Sequence, residues 1–156
     1  MTDRDADWPC APDEHGRFAR YLQDLAVVRD EDEADLVVTV LRDPDTTMAQ
    51  SALVRHLDNR AAQLLPLSGG RFGDWSRAMT MAIGDLDFLA RRLHEWNLLR
   101  SITMAEPLAA KEVTTASDWF QHKAAETATS PAVLAVLAAV GRTRRIRAAA
   151  SRRLHR

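Results

Sequence analysis

The chain lacks several things at once. It has one cysteine, Cys10, two lysines, Lys111 and Lys123, one tyrosine and only 6% aromatic residues. A lone cysteine excludes an internal disulfide. The acidic opening MTDRDADWPCAPDEHG also lacks the basic-then-apolar order of a secretory leader, so a reducing cytoplasm is the expected compartment. No apolar run approaches the roughly 18 residues that a membrane helix needs, and no membrane partner is expected. Alternation of polar with β-branched residues is scarce, which argues against a sheet. What is plentiful is alanine, leucine and arginine. The near-replacement of lysine by arginine resembles the coding bias of a GC-rich bacterial genome. At 156 residues and 46% apolar, the chain suits one domain with a real core.

The apolar spacing is helical. Phe18, Tyr21, Leu22, Leu25 and Val28 recur every three or four positions. Asp30 with Glu33 resembles a capping box opening a second helix to about Leu41. Pro44 cannot continue that helix, and Asp45 is placed to cap the next one, on which Met48, Ala52, Leu53 and Leu57 face one way. LPLSGGRFGD, residues 65–74, reads as a loop, with Asp74 as N-cap and Gly84 as C-cap of the following helix. Residues 85–106 form the longest periodic segment, ended by Pro107. A further helix is expected over 113–127, another from Pro131, capped by Ser130, to Gly141, and a last one over 143–154.

Two segments look alike. In LRDPDTTMAQSAL and in SPAVLAVLAAVGRTRRIRAAASRRL, an apolar helix leads into a turn and then an aliphatic residue followed four positions later by alanine: Met48 and Ala52, Ile146 and Ala150. These residues resemble the HEAT-like repeats and the related leucine-rich variant repeats. The first segment carries the leucine, Asp-Pro-Asp turn, aliphatic and alanine pattern; the second carries the aliphatic-arginine step at Ile146-Arg147. Position 49 is alanine where the family often has arginine, and Gly-Arg-Thr replaces the acid-proline-acid turn in the second copy. The resemblance covers about a third of the chain, and residues 66–128 match poorly. It implies an all-α fold, a short α-solenoid-like stack of antiparallel helix hairpins with about seven helices. It also implies a binding scaffold in place of an enzyme. The organisation expected is a mobile acidic segment over 1–13 and a single helical domain over 14–156.

Residues that could carry chemistry are sparse. The five histidines show no paired ligand spacing. Asp118, His122 and Glu126 share a helix face, which reads as a solvated face with local charge pairing. Cys10 has no base beside it, and LSGGRFG lacks the Lys-Ser/Thr ending of a phosphate loop. No catalytic residue, cofactor or metal is expected. Trp96 and Trp119 lie on apolar stripes and read as core. Trp75, beside the loop, is a candidate for a partly exposed contact.

Charge is strongly polarised. Residues 1–45 hold thirteen acidic and five basic side chains, residues 142–156 hold seven arginines and no acid, and the whole chain nets −1. Arg142, Arg144, Arg145, Arg147, Arg152 and Arg153, with Trp75, are therefore the candidate partner-binding residues. The expected function is a non-enzymatic protein-interaction module, an adaptor or regulator. Self-association of the acidic end with the basic end is an additional option. The alternative is a DNA- or RNA-binding regulator using the same arginines. Against it, aromatics do not interleave with the arginines.

Overall fold

The computed structural model describes residues 14–156. The expected acidic segment over 1–13, with Cys10, lies outside them. The described residues form nine α-helices and no strand: α1 (Glu14–Val27), α2 (Glu33–Leu41), α3 (Thr46–Leu64), α4 (Arg71–Ile83), α5 (Asp87–Thr103), α6 (Ala110–Thr115), α7 (Asp118–Thr127), α8 (Pro131–Val140) and α9 (Arg144–Leu154). None is long and apolar enough to cross a membrane.

Several helix ends follow the local chemistry. Asp45 accepts a hydrogen bond from the Met48 amide at 3.0 Å, Ser130 caps Val133, and Thr143 caps Ile146. Three expectations are corrected. The described helices number nine where about seven were expected, and Ser117 accounts for one of the additions by capping a new helix inside the segment read as one. Its hydroxyl accepts from Phe120, and Ala116 before it is extended. The loop after α3 is shorter than expected. Helix α4 begins at Arg71, Gly70 takes the N-cap, and Asp74 lies in the first turn. Starting early delivers both Phe72 and Trp75 to the core, ring against ring at 5.7 Å. The capping box does not form either. Residues Asp30–Asp32 make a 3₁₀ turn, and Glu33, at the start of α2, is buried.

Helices two apart in the chain pack on each other: α1 on α3, α3 on α5, α5 on α7, α7 on α9, and likewise α2 on α4 and α6 on α8. Neighbours α2–α3, α4–α5, α7–α8 and α8–α9 are also in contact. One continuous core results, from Leu25 and Val37 through Leu57, Met79, Trp96 and Phe120 to Ile146 and Ala150. Met48 and Ile146 occupy the same place relative to their capping residues, and both are buried, as are Ala52 and Ala150.

Gly141 closes the α8–α9 turn by proximity. A Cβ there would lie 2.5 Å from the Leu137 carbonyl oxygen and 2.8 Å from Ile146 Cγ2. Gly84, with φ at 63°, ends α4 in the region that favours glycine. Two expected outcomes follow. Gly141→Ala costs about 1–3 kcal/mol by forcing this close contact apart. Met48→Asp buries an unpaired charge at a position only 5% exposed and costs at least about 3 kcal/mol. Urea denaturation followed by circular dichroism measures both, and an unchanged midpoint for Met48→Asp contradicts the packing described.

Candidate functional site

The arginines of residues 142–156 divide into two groups. Three are used within the fold. The Arg142 amide donates to Gln121 Oε1 at 2.9 Å, and its guanidinium lies 3.5 Å from Asp118. Arg147 donates to the Gly141 carbonyl at 2.6 Å, closing the turn before α9. Arg153 donates to the Ala125 carbonyl at 3.2 Å, one of the last-turn carbonyls of α7 that lack a helical partner. The other four, Arg144, Arg145, Arg152 and Arg156, are exposed and have no hydrogen bond or ion pair among the described residues.

Helical geometry then gathers part of this set. Arg145, Ala149, Arg152 and Arg156 recur at four, three and four residues, so they share one face of α9 and its continuation. Together with Arg153 they wall a groove of about 310 Å³, whose other side is His122, Ala125 and Glu126 of α7. Glu126 is the one acidic side chain among its described lining residues, and its oxygen is 3.4 Å from His122 Nε2. The groove is a cationic slot with a small-residue floor. It suits carboxylates or phosphates, which a guanidinium fork meets with two parallel bonds. Arg144 and Arg147 do not line it. Asp118, His122 and Glu126 do not converge: Asp118 faces Arg142, while His122 pairs with Glu126. No group of three or more His, Cys, Asp or Glu side chains among the described residues is arranged to hold a metal ion.

Trp75 is corrected. It is 6% exposed, packed against Phe72, and its Nε1 donates to Glu33 Oε1 at 2.9 Å. It is a core residue and presents no contact surface, because the early start of α4 turns it inward.

The bond to Trp75 belongs to a polar cluster that the sequence does not announce. Glu33, 3% exposed, accepts from His56 Nε2 at 2.7 Å and Trp75 Nε1 on the same oxygen, while Arg60 reaches both carboxylate oxygens. A carboxylate can only accept, so His56 presents N–H to it. Burial pushes the Glu33 carboxyl up, and the bonds from His56, Arg60 and Trp75 outweigh that and hold it down at about 2. Asp43 is handled similarly at the α2–α3 turn. It accepts from Tyr21 Oη at 2.7 Å, the Asp45 amide at 2.8 Å and Arg17 Nε at 3.1 Å, in that order of influence, and its carboxyl is held below the ordinary range. Between α3 and α5, Asp58 accepts from Trp96 Nε1 and Arg92, whose guanidinium lies 3.9 Å over the Trp119 ring. These groups are engaged with one another and hold helices together.

A second concavity, about 620 Å³ and mainly apolar, lies between the α5–α6 connection and α8, with Ile102, Pro107, Leu108, Val113, Pro131 and Val136 in its walls. Neither concavity contains a nucleophile beside a base.

No family profile, characterised protein or solved structure matches this chain.

The Glu33 cluster sets an acid dependence. Its carboxyl is depressed in the folded state from 4.5 to about 2, so the unfolded chain binds the proton first as pH falls. Its contribution, on the order of 3 kcal/mol, is complete above the unfolded value of 4.5 and is lost as pH falls through about 2. Denaturant titrations across that range should give falling stability in the wild type. Glu33→Gln should cost about 3–5 kcal/mol near neutrality by breaking a buried pair, and it should flatten this part of the slope. A variant slope equal to the wild type would show that Glu33 is not the titrating group.

Proposed function

We propose that the protein is a non-enzymatic cytoplasmic interaction module, an adaptor or regulator built as a short HEAT-like stack of helix pairs. In this reading the groove between α7 and α9 docks an acidic surface of a partner protein. The observation that carries it is the placement of Arg145, Arg152 and Arg156 on one face, exposed and without an internal partner. Unsatisfied charges of one sign held close together repel each other, and a partner of opposite sign removes that cost. The stacked-pair reading is supported by the contacts between helices two apart and by the matched positions of Met48 with Ile146 and Ala52 with Ala150.

Nucleic acid would use the same guanidiniums. The groove has no Phe, Tyr or Trp in its lining on which bases could stack, which favours the protein partner.

The test compares wild type with Arg145→Glu/Arg152→Glu, both exposed positions whose change should leave the fold intact, with circular dichroism as the check. Cross-linked capture at low salt should retain a specific acidic protein on the wild type and lose it from the variant by at least about tenfold. Identical captured sets would overturn the reading. A low-salt gel shift with mixed-sequence RNA or DNA that the same variant abolishes would move the assignment to nucleic acid.

A further inference from the structure

Helix α8, PAVLAVLAAV, has no charged or hydrogen-bonding side chain anywhere along it. A helix that is apolar on every side belongs inside a structure. Only one side of α8 is inside: Val133, Leu134 and Leu137 are buried, while Ala132, Ala135, Ala139 and Val140 are exposed, Val140 at 57%. No described helix covers that outer face, and the unpaired arginines of α9 lie on the helix packed beside it.

The opposite end of the molecule has the complementary character. Of the exposed acids in α1, α2 and the turn between them, Asp30 is held by Arg60 and Arg71, and Glu31 by Arg29. Asp24, Asp32 and Asp35 are exposed and have no ion pair among the described residues. Val27, at the end of α1, is 81% exposed.

Resting on the docking role proposed above, we infer that the partner is a second copy of this chain, stacked head to tail. The apolar outer face of α8 and the arginines of α9 meet the acidic α1–α2 end of the next molecule. The apolar face needs a cover, the arginines of the adjoining helix α9 select an acidic one, and this chain supplies such a surface with Asp32 and Asp35 unspent. The contact joins two different patches, so a joined pair keeps one of each free and growth continues beyond a dimer, to a closed ring or an open filament. Assembly therefore rises with concentration. It weakens at about 1 M salt, where the screening length falls to about 3 Å.

Sedimentation velocity at low and high salt, over a concentration series, tests this on the full chain. Wild type should associate at low salt and dissociate at high salt. Arg145→Glu/Arg152→Glu reverses the charge of the groove-lining face of α9, and Asp32→Arg/Asp35→Arg reverses that of the acidic patch, so in each variant the two patches that should meet carry like charge. Asp32 makes no side-chain capping bond, so the second variant keeps α2. Each variant alone should be monomeric, with association weaker by at least about tenfold, and an equimolar mixture should associate again. Ala135→Gln, at an exposed position, should weaken assembly without altering the charge of either end. A monomeric wild type at every concentration, a charge-reversed variant that associates unaided, or a mixture that stays monomeric overturns the inference. A monomeric wild type that still captures a foreign acidic protein through Arg145 and Arg152 overturns self-assembly alone and leaves the docking role standing.

Discussion

A carboxylate removed from water at Glu33 is the constraint on which the first half of the molecule depends. Ionised at 3% exposure, it is stable only while His56 and Arg60 from α3 and Trp75 from α4 point their N–H groups at it. One side chain thereby fixes the relative placement of three helices. The same principle recurs along the chain. Asp58 of α3 binds Arg92 and Trp96 of α5, and Glu95 of α5 binds the amide and hydroxyl of Ser117 at the start of α7. Gln121 of α7, fully buried, donates to the last carbonyls of α6 and accepts from the Arg142 amide before α9. No buried side-chain polar atom is left without a partner among the described residues. Apolar contact brings the helices together, and these bonds select which helix meets which.

Helix ends account for a second use of arginine. A helix leaves its last carbonyls without internal donors, and short helices leave proportionally more of them. Arg100 of α5 donates to the Leu65 carbonyl at the end of α3, and Arg153 of α9 donates to the Ala125 carbonyl at the end of α7. Both reach from a helix to the end of the one two places earlier. Arg147 does the equivalent for the turn after α8. Setting Arg142, Arg147 and Arg153 aside leaves Arg144, Arg145, Arg152 and Arg156 as charges with nothing internal to do, and the last three of these line the groove.

Much of the local architecture was legible in order along the chain. Capping by Asp45 and Ser130, the proline at the start of α8 and the buried faces of α3 and α9 all depend on interactions within a few residues, which spacing and side-chain type report directly. The errors share a different cause. The start of α4 was set by Phe72 entering the core, against the flexible Gly-rich run preceding it. Glu33 was diverted from capping by donors lying 23 to 42 residues away. Trp75 turned inward for the same reason. The division at Ser117 is the one miss with a local signal, since a serine before an aspartate and two aromatics is an ordinary helix start.

For the candidate site, the sequence by itself determined an all-helical chain, a basic terminal segment opposed to an acidic beginning, and a helix, α8, without a charged side chain. Those are properties of residue type and period, and they hold whatever the helices pack against. Only the tertiary structure decided which arginines remain unsatisfied, that α7 supplies the second wall of their groove, and that one side of α8 is left uncovered. Each of these is a statement about distance between residues remote in the chain. Such distances are set by burial and by the pairing of buried polar groups, which act through space and leave no mark on local periodicity.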